Sequence, residues 1–211
     1  MYKMYNSNIK MYRKILALAL VLVMGLVLTG CGNKEEAAFD EAVRTGTKAM
    51  EDRDWNRAIE QFSKGLEFKV DDSALLYQRA AAYLAKARDS YNLASAAASQ
   101  NDMQGAEANA KNADSSFENA KKDCLKMIEL DAKNADAWYV KGCVELYLGE
   151  WNTAIESFST SIREKPDSPF AWQRRGEVYG HIGDNANSII DLKKAAELGY
   201  VDTEKKKGTD H

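Results

Sequence analysis

Apolar positions recur three and four residues apart along most of this chain, the spacing of one helix face. Leu76, Ala80, Tyr83 and Ala87 form one such series, and Phe117, Ala120 and Cys124 another. Two prolines among 211 residues, with abundant Ala, Leu, Glu and Lys, favour helix and argue against a strand-rich fold. The pattern predicts an all-α protein. The N-terminus departs from it. Lys3, Lys10, Arg13 and Lys14, with no acidic residue among them, precede an unbroken apolar run of 14 residues from Ile15 to Leu28. A spanning helix needs about 20 such residues, so the run reads as a secretory signal.

The run ends in Leu28-Thr29-Gly30-Cys31, which resembles the lipobox of bacterial lipoproteins. The resemblance implies cleavage between Gly30 and Cys31, a diacylglycerol on the Cys31 thiol, a tether over 31–38, and anchoring to a cell-envelope membrane. It does not distinguish the inner from the outer membrane. An ordinary signal peptide, or an uncleaved anchor with a chance cysteine, is the plainer alternative. Two or three acyl chains hold far more firmly than one, at ~0.8 kcal/mol per buried methylene. Removing 1–30 takes four of 29 basic residues and none of 32 acidic ones, leaving a net charge of −7. Such a chain does not suit nucleic acid or anionic lipid heads as partners.

Self-comparison gives a period of 34: Trp138 falls on Trp172, Gly142 on Gly176, Gly149 on Gly183, Ile155 on Ile189 and Phe158 on Leu192. Gly46, Trp55, Ala58, Ile59 and Phe62 repeat the design earlier in the chain. Trp138, Gly142, Ala154, Phe158 and Pro166, then Trp172, Gly176, Tyr179 and Ala195, resemble the tetratricopeptide repeat. That resemblance implies pairs of antiparallel helices stacked into a solenoid. Gly142 and Gly176 would admit a neighbouring helix, while Trp138, Trp172, Phe158 and Leu192 would fill the layer between helices. Gly149 and Gly183 would turn the chain in a left-handed conformation, and Pro166 would separate repeats. Lys141 and Arg175 stand where apolar residues are expected, and Ser161 and Ser188 where alanines are. All four are expected to weaken packing locally.

The register gives repeats at 39–72, 73–134, 135–168 and 169–202, followed by a charged tail at 203–211. The second repeat is 62 residues long, an excess of 28 near 88–115, or four whole heptads. Leu76, Ala80, Tyr83, Ala87, Tyr91 (or Ser90), Ala94 and Ala97 run outward at alternating spacings. Ala106, Ala110, Ala113, Phe117, Ala120 and Cys124 return the same way, with a turn signal at Gln100-Asn101-Asp102. The expectation is one elongated helical hairpin, 73–99 and 103–131, fraying towards its alanine-rich tip. A disordered Ala/Ser linker is the alternative.

No phosphate-binding glycine loop, nucleophile elbow or metal-spaced cluster is present, so neither an enzyme nor a cofactor is expected. Cys124 and Cys143 could pair outside the cytoplasm, though their apolar faces favour buried free thiols. Beyond the signal the histidines are His181 and His211. In tetratricopeptide proteins the first helix of each repeat usually lines a groove for partners. The inward candidates on this register are Arg44, Tyr77, Gln78, Tyr139, Tyr147, Gln173, Arg174 and His181, residue types that binding surfaces favour. The tyrosines could equally be partly core. The cochaperone version clamps a terminal carboxylate with Lys and Asn; here Val43, Thr47, Asp136 and Val140 stand in those places, so that specificity is not implied. Ile189, Ile190 or Leu192 on the last helix could meet a partner or a second copy, unless polar Asp191, Lys193 and Lys194 shield that end. The expected function is a lipid-anchored scaffold that binds protein partners in the envelope. A protein binding an envelope polymer such as peptidoglycan, or a small ligand, is the alternative.

Overall fold

The computed structural model describes residues 34–200. The expected signal, the expected lipobox with Cys31, and the expected charged tail lie outside them. Eight helices follow one another: α1 over 34–51, α2 (Trp55–Phe68), α3 (Ser73–Ser99), α4 (Met103–Leu130), α5 (Ala135–Tyr147), α6 (Trp151–Glu164), α7 (Pro169–His181) and α8 (Asn185–Glu197). The described residues contain no strand. Each odd-numbered helix pairs with the even one after it, and successive pairs stack into the expected tetratricopeptide-type solenoid.

The helix starts are written locally. Asp54, Asp72, Asp102, Asn134 and Asp184 each accept the backbone N–H three residues ahead, satisfying a donor that the helix itself leaves open. Pro169 opens α7, where its missing N–H costs nothing. Between α5 and α6 the chain turns at Gly149, with φ +74°. The same place in the first repeat holds Arg53 at φ 57°, a strained choice for a residue with a Cβ.

Close approach explains the periodic glycines. A Cβ on Gly142 would sit 2.7 Å from the Phe158 ring, and one on Gly46 would sit 2.5 Å from Phe62. Phe62, Phe117 and Phe158 are fully buried and form the layer between paired helices. Trp138 and Trp172, expected in that layer, are only half-buried. Their indole N–H groups donate to the carbonyls of Ala132 at 2.9 Å and Pro166 at 3.0 Å. Each tryptophan thus ties a helix start to the loop before it.

The polar substitutions do not leave holes. Arg175 grips Asp191 of α8 through two nitrogens at 2.7 and 3.0 Å and reaches Ser159 of the preceding repeat at 2.9 Å. Lys141 pairs with the buried Glu145 and with Ser157 of α6. The Ser188 hydroxyl donates to the Gly176 carbonyl at 2.8 Å. Asp191, expected as a polar shield of the last face, is buried in this pairing instead, while Ile189 and Ile190 remain exposed. Leu192 is half-buried and lies against Gly176.

The second repeat carries the elongated hairpin, its helices within one residue of the expected bounds. Asn101 makes the turn at φ 61° and Asp102 caps α4. At ~1.5 Å per residue, α3 is about 40 Å long, twice the length of α5. Ala87, Ser90, Ala113, Phe117 and Ala120 are buried in its seam. Ser90, not Tyr91, takes the inward place, and Ala110 is exposed. From 91 to 112 no side chain is buried, so the outer half is held by backbone hydrogen bonds, small-residue contacts and local side-chain bonds such as Asn109 to the Gly105 carbonyl at 2.9 Å. Cys124 and Cys143 are buried and unpaired. None of the described helices is long and apolar enough to cross a membrane.

Candidate functional site

The first helices of repeats two to four, α3, α5 and α7, lie side by side and present a common face. On α3 this face is Tyr77, Ala81, Leu84, Arg88 and Tyr91, spaced four, three, four and three residues apart. α5 contributes Tyr139, Cys143 and Tyr147, and α7 contributes Arg174, Glu177 and His181. Three open clefts run along this face and share walls. The first, about 430 Å³, lies between Tyr77, Tyr139, Lys165 and Phe170. The middle one, about 220 Å³, lies between Tyr77, Leu84, Arg88, Tyr139, Tyr147 and Arg174. The third, about 270 Å³, lies between Tyr91, Tyr147, Trp151, Arg174, Glu177 and His181. Tyr77 and Tyr139 belong to the first two, and Tyr147 and Arg174 to the last two, so the clefts adjoin along one grooved face.

Aromatic contacts hold these walls. Tyr147 stacks on Phe117 at 5.5 Å and meets Tyr91 edge-on at 6.5 Å. Trp151 stacks on His181 at 5.2 Å, the same relationship one repeat later. Tyr139 lies between the buried Phe158 at 6.0 Å and the exposed Phe170 at 6.5 Å. The tyrosines therefore act as core on one side and as groove wall on the other. Burial raises the hydroxyl pKa of Tyr77, Tyr139 and Tyr147, so each keeps its proton and can donate it in a hydrogen bond.

Arg174 stands where two clefts meet. Burial works against its charge, but the Glu177 carboxylate beside it outweighs that, and it holds its proton more firmly than usual. Its Nη1 donates to Glu177 at 2.8 Å, and Gln173 donates to the same carboxylate at 3.0 Å. Arg88 is exposed, with only a loose contact to Asp89 at 3.7 Å. Cys143 lines the middle cleft, yet burial pushes its thiol up to about 11, which makes it a poor nucleophile near neutral pH. Among the described residues no group of three or more His, Cys, Asp or Glu could hold a metal ion.

Of the residues expected in the groove, Tyr77, Tyr139, Tyr147, Arg174 and His181 come together there. Gln173 adjoins it through Glu177. Gln78 is half-buried outside the clefts. Arg44 stands apart on α1, exposed and paired with Glu41 at 2.6 Å. Arg88, Tyr91, Phe170 and Glu177 line the groove without having been expected. Tyr91 continues the seven-residue series from Tyr77 and Leu84, and Arg88 stands seven residues after Ala81; the sequence pattern places Tyr91 instead in the hairpin seam, as an alternative to Ser90.

Comparison with known proteins agrees with the geometry. A family model described as tetratricopeptide repeat matches residues 171–198. A crystal structure of MamA is similar at 22% identity, covering 80% of each chain with a TM-score of 0.54. The Arabidopsis OM64 TPR domain is 19% identical over 70% of this chain and 98% of its own, with a TM-score of 0.52. The second TPR domain of human RPAP3, solved with an HSP70 peptide, is 21% identical over 68% of this chain and 97% of its own, with a TM-score of 0.51. No curated protein matches. The fold is that of a tetratricopeptide solenoid, and no enzyme family is indicated.

Proposed function

We propose that this protein is a membrane-anchored scaffold of the bacterial cell envelope that holds a segment of a partner protein in its groove. One observation carries the reading: three open clefts adjoin along one grooved face walled by Tyr77, Tyr139, Tyr147, Arg174 and His181. An extended or helical segment fits an open groove, whereas a small ligand favours an enclosed pocket. Similar domains solved with bound HSP70 and HSP90 peptides lend support, because they put such segments on the same fold. On this proposal Cys31 carries the lipid, which fixes location while the groove selects the partner. The exposed Ile189 and Ile190 of α8 offer a second contact, for a partner or another copy of the chain.

Affinity purification from detergent-solubilised envelopes tests it. A protein recovered with the wild type and lost with Tyr147→Ala supports the groove. Retention on isolated cell-wall sacculi, with no protein recovered, would instead favour polymer binding. Radiolabelled palmitate incorporated into the wild type but not into Cys31→Ala tests the anchor separately.

A further inference from the structure

The middle cleft is lined by two arginines, Arg88 and Arg174, and by no carboxylate. This is unusual for a chain whose acidic residues outnumber its basic ones, 32 to 29. Around the arginines stand the hydroxyl-bearing rings of Tyr77, Tyr139 and Tyr147, with Ala81, Leu84, Ala85 and Val140 supplying an apolar floor. Two arginines and three tyrosines, all donor-bearing, line the same space, and no carboxylate lines it. Arg88 lies at the base of the elongated hairpin, where α3 continues past the length of the other first helices. Tyr91, one turn further, meets Tyr147 edge-on and extends the same wall. The hairpin base thus builds one side of the groove.

We propose that Arg88 and Arg174 form a two-arginine clamp for an acidic side chain of the partner protein, with a neighbouring aliphatic or aromatic residue seated against Tyr77, Leu84 and Tyr147. The occupant is a peptide segment in which Asp or Glu adjoins a large apolar residue. Charge complementarity identifies it: a carboxylate takes paired N–H donors from a planar guanidinium, and an apolar neighbour covers the floor. Glu177 holds Arg174 from the far side, through Nη1 at 2.8 Å, and positions it between the middle and third clefts. Arg88 has only a 3.7 Å contact with Asp89 on its own helix and is free to swing towards a ligand. This inference rests on the groove being a protein-binding surface, and its test separates the two.

The probes are fluorescein-labelled decapeptides alternating Glu with Leu or Phe, and matched decapeptides with Gln or Lys in place of Glu. Each is titrated by fluorescence anisotropy against the full mature chain at low and high salt. The clamp requires the Glu peptides to bind more tightly than the Gln peptides and the Lys peptides not at all, with affinity falling as salt rises. Arg88→Gln and Arg174→Gln should each weaken Glu-peptide binding by at least about tenfold and Gln-peptide binding by much less. Arg88 is exposed, so its variant tests the clamp even if Arg174→Gln fails to fold. Gln peptides binding as well as Glu peptides, with Tyr147→Ala abolishing both, would overturn the clamp and leave the groove intact. Failure of every peptide to bind would overturn both readings. Sacculus retention that Arg88→Gln abolishes, without peptide binding, would assign the cleft to an anionic polymer and also overturn the proposal.

Discussion

Arg79 and Asp123, 44 residues apart in sequence, meet in a two-pronged ion pair, Nε to Oδ2 at 2.8 Å and Nη2 to Oδ1 at 2.7 Å. The third arm of Arg79 reaches Ser63 on α2 at 3.1 Å, so one side chain joins both helices of its repeat to the repeat before it. Arg175, Asp191 and Ser159 repeat this arrangement at the equivalent positions. In the third repeat the acid has moved: Ser157 stands where Asp123 and Asp191 do, and Glu145 replaces Tyr83 and Tyr179 to supply the carboxylate. The lysine of that repeat has Leu125 rather than serine at the neighbouring place, and no bond crosses to α4.

Breaking the Arg79 pair should therefore be costly. Asp123 is almost fully buried and Arg79 mostly so, and Arg79→Met would strand the carboxylate. We expect a loss of about 2–3 kcal/mol in urea unfolding, at the low end for a buried pair because Arg79 keeps some contact with solvent. Arg79→Met combined with Asp123→Leu should recover most of that loss. A double variant as unstable as the single one would show that the pair contributes through geometry rather than charge.

Arg53 occupies the left-handed turn position that Gly149 fills in the third repeat. Arg53→Gly should stabilise the first repeat by roughly 1 kcal/mol, the lower end of the left-handed penalty, since glycine also frees the unfolded chain. Thermal unfolding measures it. A lower melting temperature would mean that the Arg53 side chain makes a contribution larger than its backbone strain.

The buried thiols give a pH dependence with a definite sign. Burial raises Cys143 from its ordinary 9.0 to about 11 and raises Cys124 as well. The folded chain holds these protons longer than the unfolded one. Their contribution is complete below pH 9 and is lost as pH rises towards 11. Stability of a Cys31→Ser domain should fall across that window and fall less in Cys143→Ala. At pH 8 neither thiol should react with a disulfide reagent until the chain is unfolded.

Hydrogen exchange should divide the hairpin. Amides of α3 and α4 near Ala87, Phe117 and Ala120 sit over buried side chains and should exchange last. Those between 91 and 112, helical except at the turn 100–102, bury no side chain and should exchange orders of magnitude sooner while still slower than an unfolded peptide. Exchange at the unfolded rate throughout 88–115 would contradict the helical hairpin.

Much of this fold could be read from the chain because its signals are local and periodic. Gly142 and Phe158 recur with the same spacing as Gly46 and Phe62, and the Gln100-Asn101-Asp102 turn marked the hairpin tip. What stayed hidden depends on partners distant in sequence. Lys141 and Arg175 looked like packing faults because Glu145 and Asp191 are not recognisable as partners until the helices are paired. Trp138 and Trp172 looked like core because a half-buried indole bonded to a loop has the same sequence signature. In the groove, Tyr77, Tyr139 and Tyr147 followed from the register. Arg88 and Tyr91 did not, since the heptad that places Tyr91 on the groove side also allows it in the hairpin seam, and Ser90 took that place.

The central claim is that the groove holds a protein segment. Photo-crosslinking in intact cells tests it most directly, with a benzophenone amino acid at Tyr77, Tyr91 or Tyr147 in turn, and at Lys111 on the outer hairpin as the comparison. The account predicts a discrete protein adduct from the three groove positions, absent at Lys111 and diminished by Arg174→Gln. Adducts of equal strength at Lys111, or none from any groove position in a chain that is expressed and anchored, would contradict it.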